Sequence, residues 1–215
     1  MQPITIEEAR TWYQDADPVH DFDHVLRVYR VAERLAQAEG ADLEIVRAAA
    51  LLHDSKGSAP GGEGQERAEH HITSAVFGSE VLAEKGWPEE KIKAVQHCIQ
   101  AHRFRGKEDS PETIEAQVIF YADKLDVLGA IGAARTIAYA ALDGQPSYAE
   151  PSERFLNTGQ TEPGEPHSSY HEFLFKLRKV KSRMFTVSGK ALAEARHAYL
   201  VGFYEQLQAE ARGER

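Results

Sequence analysis

Polar and apolar positions repeat with a helical period through most of the chain. From about Phe22 to Ala38, the residues His24, Val28, Val31 and Leu35 follow one another at spacings of four, three and four, which puts them on one stripe of a helix. Gly40 ends that helix. Asp42 caps the next, whose Ile45, Val46 and Ala48 to Leu52 are apolar nearly all round, as in a helix at the middle of a bundle. His53-Asp54 stands at its end. Upstream, Thr5 and Glu8 form a capping-box signal for a short helix that closes near the Asp15-Ala16-Asp17-Pro18 turn. Downstream, Ser58 to Gly64 breaks the pattern with glycine and proline and reads as a loop.

A fourth helix runs to Lys85 and stops at Gly86. A fifth follows Pro88, with Ile92, Val95, Ile99 and His102 on its inner stripe. A sixth opens at Ser110-Pro111-Glu112 and extends to Ala141, with Asp123 one turn after Ile119. Gly129 and Gly132 inside it cost about 1 kcal/mol each against alanine, which predicts close packing that excludes a β-carbon. From 143 to 169 the period is lost and Pro, Gly, Ser and Tyr accumulate, over a length beyond the roughly 12–15 residues that compact domains usually leave irregular. That stretch reads as a loop or lid. Two further helices cover about Tyr170 to Phe185 and Gly189 to Ala211. Neither strand alternation nor an internal repeat is present, so the fold class is all-α: a helical bundle with a long loop and additional C-terminal helices. The expected organisation is one domain over 1–215, with its core at about 20–141.

Composition narrows the class. Of 215 residues, 42% are hydrophobic and 27% charged, the balance of a globular protein. The longest apolar runs, such as Ala48 to Leu52, fall well short of the roughly 20 residues that cross a bilayer, and Glu7 and Glu8 stand where a signal core would be. A cytoplasmic location and no membrane partner are expected. The lone Cys98 lies between apolar residues and reads as an inert buried thiol. A formal charge of −9 repels polyanions and argues against a nucleic-acid polymer as partner. A small anionic ligand then needs a local basic pocket or a metal, and ten histidines in short clusters direct attention to metal.

His24, His53, Asp54 and Asp123 each put a metal-capable side chain on an apolar helix face or at a helix end, where a polar group must be compensated. Taken singly, each is as readily a satisfied core residue. Together, two imidazoles and two carboxylates from three helices can converge on one divalent ion, a mixed nitrogen and oxygen set suited to Mn, Fe, Co, Ni, Zn or Mg. Phosphate-binding glycine loops, Gly-x-Ser-x-Gly elbows and paired-cysteine zinc patterns are all missing from the sequence.

The chain resembles the HD-domain phosphohydrolase superfamily, whose pattern is a histidine on one helix, a His-Asp pair ending another, and a later aspartate. His20-Asp21-Phe22-Asp23-His24, Leu51-Leu52-His53-Asp54, Ala122-Asp123-Lys124-Leu125-Asp126 and Gly129-Ala130-Ile131-Gly132 carry the likeness, which extends to Lys176, Thr186 and Gly189. They look like a short bacterial subgroup. The resemblance implies that His24, His53, Asp54 and Asp123 bind the metal, with manganese favoured, and that the protein hydrolyses nucleotide phosphates. A divalent ion suits that chemistry, since it lowers the pKa of its bound water from about 15.7 towards neutrality. His70, His71 and His102 resemble positions that supply a second metal in some binuclear members.

Other residues are candidates for catalysis or for holding substrate. His20, four residues before His24, is read either as a proton shuttle or as a cap of the helix start. Arg27 and Lys124 lie near ligands in sequence and are candidates to meet a phosphate or orient a carboxylate. Lys56, His97 and His102 join them as substrate contacts, His97 because it lies roughly 140° around the helix from His102 and cannot share its ion. Lys176, Arg178, Lys179, Lys181 and Arg183 make a basic run in which Lys176, Lys179 and Arg183 share a stripe, read as a polyphosphate clamp or as a solvated face. Arg103, Arg105 and Lys107 form a weaker basic cluster.

The expected substrate is a small phosphate ester, with (pyro)phosphohydrolysis of nucleoside triphosphates as the leading reaction. The protein is expected to act as a monomer or homodimer. One alternative on the same site is a cyclic-nucleotide or alarmone phosphodiesterase. Cleavage of cyclic dinucleotides is disfavoured because Arg103-Phe104-Arg105-Gly106, and not Gly-Tyr-Pro, follows His102. The other alternative is a catalytically silent nucleotide-binding protein.

Overall fold

The structure, a computed structural model, describes residues 1–13, 22–56, 65–104, 110–184 and 186–215, without the side chains of 65–68 and of Arg183. The loop expected at Ser58 to Gly64 lies outside them. Ten α-helices are present among the described residues and no strand, so the chain is all-α. No single helix there is long and apolar enough to cross a membrane. The chain divides into two compact units, Met1–Asp123 and Lys124–Arg215.

The first unit opens with α1 (Ile6–Arg10) and a 3-10 turn (Thr11–Tyr13), continues through α2 (Phe22–Glu39), α3 (Leu43–Leu52), α4 (Gln65–Glu84) and α5 (Glu89–Ala101), and takes in most of α6 (Ile114–Leu125). Thr5 starts α1 as its spacing from Glu8 predicts, its hydroxyl accepting the Glu8 N–H at 3.1 Å. Asp42 starts α3 the same way, accepting from the N–H groups of Glu44 and Ile45. Seven of the ten residues of α3 are buried, and the helix packs against α2, α4 and α5. Leu51 and Leu52 are almost wholly covered, each side chain contributing about 1.5–3 kcal/mol by leaving water. On α5 the buried face is Val95, Cys98, Ile99 and Ala101, and burial raises the Cys98 thiol well above its ordinary value.

The end of α3 is closed by side chains. The last carbonyls of a helix have no partner within it and must find one elsewhere. Here His53 Nδ1–H donates to Ala50, Tyr13 to Leu51 and Ser55 to Leu52, each at 2.9 Å. Tyr13 belongs to a small apolar cluster with Ala9, Phe22, Val25 and Leu51. The helix therefore stops at a fixed place, and His53 and Asp54 stand there.

The second unit contains α7 (Gly129–Leu142), α8 (Glu153–Thr158), α9 (Ser169–Phe175), a 3-10 run (Leu177–Arg183) and α10 (Val187–Ala211). The periodicity predicts one helix from Ser110 to Ala141, whereas the chain breaks after Leu125. Leu128 is extended and Gly129 has φ +72°, a left-handed value that favours glycine. A β-carbon on Gly132 would lie 2.2 Å from the Val127 carbonyl oxygen. The expected exclusion of a β-carbon is thus met at Gly132, and its cause is the reversal at Val127. Arg196 donates to the Leu125 carbonyl at 2.6 Å, and the buried Asp126 pairs with Arg135 at 2.6 Å.

The stretch read as a loop carries α8, capped by Ser152 and ended by Gly159 in the left-handed conformation. Glu165 ties it down. Its carboxylate accepts from Ser152 N–H, Ser152 O–H and Glu162 N–H at 2.6–2.7 Å and meets His171 Nε2 at 3.0 Å. The helix expected over Tyr170 to Phe185 is α9 followed by the 3-10 run, whose three-residue repeat turns Leu177 and Val180 inward together.

Candidate metal centre

Six metal-capable side chains meet in the first unit. His24 comes from the buried face of α2, His53 and Asp54 from the end of α3, His70 from α4, His102 from the end of α5 and Asp123 from α6. They form two groups. His24, His53 and Asp123 offer one ligand atom each within 4.8 Å of one another, and so do Asp54, His70 and His102.

Asp54 joins the groups. Its Oδ2 lies 3.5 Å from His53 Nε2 and 3.7 Å from His24 Nε2, while its Oδ1 lies 3.0 Å from His70 Nε2 and 3.4 Å from His102 Nε2. His24 Nε2 is in turn 3.4 Å from His53 Nε2 and 3.6 Å from Asp123 Oδ1. Ligands placed about 2.0–2.2 Å from one ion stand about 3–3.5 Å from each other, close to these separations.

Protonation makes the same point. Burial pushes the His53 imidazole down to about 4, with His102 and His24 adding to it and the two carboxylates working against it. The ring is therefore neutral at ordinary pH. Since Nδ1 spends its proton on the Ala50 carbonyl, Nε2 presents a lone pair to His24 and Asp54. Burial alone would raise the Asp54 carboxyl, but His53, His102 and His70 outweigh it and hold the group well below the usual carboxylate range. Lone pairs and negative oxygens thus face one another, a donor set that a divalent cation fits.

The other candidates are spread more widely. His20 lies outside the described residues, as do Arg105 and Lys107, and of the Arg183 side chain nothing is described. Arg27 follows His24 by one turn on α2 and Lys124 follows Asp123 on α6, both half-buried. Lys56 is exposed, its ammonium 4.0 Å from the centre of the Phe77 ring. His97 accepts the Glu112 N–H at 3.2 Å through Nε2, which commits that nitrogen to the backbone. His71 stands beside His70, with ring centres 6.0 Å apart, but belongs to neither group of three. In the second unit the exposed Lys176 pairs with Glu172 at 2.7 Å and Lys181 with Glu194 at 3.1 Å.

Along the sequence Arg103 belongs only to a basic cluster. Its Nη1 in fact lies 2.9 Å from His70 Nδ1, a meeting of residues 33 apart that no local spacing signals.

The chain is similar over nearly its whole length to known proteins. The model of the HD domain matches residues 21–128. The YpgQ protein of Bacillus subtilis is 33% identical over 217 residues, covering 96% of this chain and 94% of that protein. The crystal structure of B. subtilis YpgQ in complex with ADP superposes with a TM-score of 0.72 at 29% identity, over 96% of this chain and 97% of the other. An HD-superfamily hydrolase from Bacillus thuringiensis gives 0.68 at 31% identity, over 96% of each.

Proposed function

The chain belongs to the HD-domain family of metal-dependent phosphohydrolases, and from that premise we propose that it hydrolyses nucleotide phosphates at one divalent ion held by His24, His53, Asp54 and Asp123. The convergence of His24 Nε2, His53 Nε2, Asp54 Oδ2 and Asp123 Oδ1 carries this reading. Two neutral rings and two carboxylates leave a divalent ion there with little net charge, so a phosphate oxygen can approach it. Manganese is the favoured ion.

When bound, such an ion supplies a nucleophile from water at neutral pH and offsets charge on the phosphate. The side chains do the rest. The Ala50 carbonyl keeps the His53 ring in one tautomer, and His70 stands 3.0 Å from the Asp54 carboxylate on its far side, so the ligands need no rearrangement as charge develops. Burial of His24, His53 and His102 excludes bulk water from the inner wall. Arg27 is the cation assigned to the substrate phosphate, one turn from His24.

The nucleotide assignment draws on the YpgQ complex with ADP. Nucleoside triphosphates are the proposed substrates, with release of pyrophosphate or phosphate. Assay of purified protein with Mn²⁺ against nucleoside triphosphates and cyclic nucleotides tests this, alongside metal analysis. Turnover of triphosphates that stops with a chelator is the expected result. Turnover of cyclic nucleotides alone would reject the substrate, and a protein that binds no divalent ion would reject the site.

A further inference from the structure

Arg103 begins a line of polar contacts that runs into the proposed metal ligands. Its Nη1 lies 2.9 Å from His70 Nδ1. A guanidinium keeps its protons and accepts nothing, so it is the donor and Nδ1 holds a lone pair. A neutral imidazole carries one N–H, which must then sit on Nε2. That nitrogen is 3.0 Å from Asp54 Oδ1, so the proton it carries faces the carboxylate at ion-pair distance.

His53 and His102 are set the opposite way. Both donate Nδ1–H to a main-chain carbonyl three residues earlier, Ala50 and Ile99, and so turn a lone pair inward at Nε2. His70 turns a proton inward. A metal at His70 Nε2, with Arg103 still donating to Nδ1, would require the ring to lose its remaining proton and become an imidazolate.

We propose that Arg103 is a positioning residue that fixes the His70 proton on Nε2, facing Asp54, so that His70 turns no lone pair towards a second ion. The consequence for Asp54 is direct. With Oδ1 facing His70, Oδ2 is the oxygen turned to His24 and His53, at 3.7 and 3.5 Å. Without His70, the group of Asp54, His70 and His102 keeps only two ligand atoms. The chain therefore binds one ion. This rests on the proposed function for the identity of the ligands, but the ring's tautomer does not.

The test is long-range ¹H–¹⁵N NMR of the imidazoles in the full-length, metal-free protein, well above the ordinary imidazole pKa of about 6.5. The His70 signals are assigned by their loss in His70→Gln. The wild type is expected to show His70 with its proton on Nε2, and Arg103→Met to show both tautomers in exchange. Manganese titration followed by elemental analysis is expected to saturate at one ion per wild-type chain and at two per Arg103→Met chain. A wild-type His70 protonated on Nδ1, or two ions bound to the wild type, overturns the proposal. A wild type that binds no ion at all counts against the proposed function, and the tautomer still decides the role of Arg103.

Discussion

The hydroxyl of Tyr13 donates to the carbonyl of Leu51, 38 residues away, two positions before the His-Asp pair that ends α3. Both groups are buried. Tyr13→Phe keeps the ring but leaves a buried carbonyl without its donor, which costs about 1–3 kcal/mol. Urea denaturation is expected to show that loss, with a weaker hold on metal because the end of α3 is no longer fixed. Unchanged stability would mean that the carbonyl finds another donor.

Asp54 is expected to be the most sensitive position in the centre. Asp54→Ala removes Oδ2, the oxygen turned to His24 and His53, so metal affinity should fall by more than the roughly 10–100-fold that accompanies loss of an outer partner. The far-ultraviolet circular dichroism should stay helical. In the wild type, Mn²⁺ at 100 times its dissociation constant should add about 2.7 kcal/mol of stability, and in Asp54→Ala at the same concentration almost none. An equal thermal shift in both proteins would rule Asp54 out as a ligand.

Glu165 gives a prediction in pH. Hydrogen bonds from Ser152 and Glu162, with His171 beside it, hold its carboxyl at about 2 against an ordinary 4.5. A folded pKa below the unfolded one stabilises the fold fully above about pH 4.5, and that contribution is lost as pH falls from there through about 2. Glu165→Gln should therefore melt below the wild type at pH 7, with the gap closing as the solution is acidified. A gap that stays constant down to pH 3 would show that charge is not what Glu165 supplies.

Gly132→Ala should destabilise the second unit by about 1–3 kcal/mol, the range for inserting an atom into filled space. The added carbon would meet main chain at Val127, which cannot swing aside as a side chain can. Chemical denaturation measures this. A variant as stable as the wild type would show that the reversal at 126–128 is adaptable.

Much of this molecule is legible in its sequence because its elements are set by local signals. Thr5 and Asp42 cap helices where their spacing says they should, and His24, His53, Asp54 and Asp123 stand out because charged or polar groups on apolar faces need a reason. The break after Leu125 is hidden, since two glycines in an otherwise apolar run cost a helix little and only the positive φ at Gly129 distinguishes a turn. Helix α8 is hidden for another reason. Ser152 and Gly159 are proper end signals, but six residues are too few to show a period. The contact of Arg103 with His70 is tertiary throughout, and no pattern along the chain encodes it.

The histidines of the centre are oriented by two kinds of partner. For His53 and His102 the partner is peptide carbonyl, present whatever residues 50 and 99 become, so the orientation of those rings is insured against point mutation. For His70 it is one arginine, and a single codon change removes it. The metal count of this protein would then be an editable trait, one that relatives could gain or lose without altering any ligand.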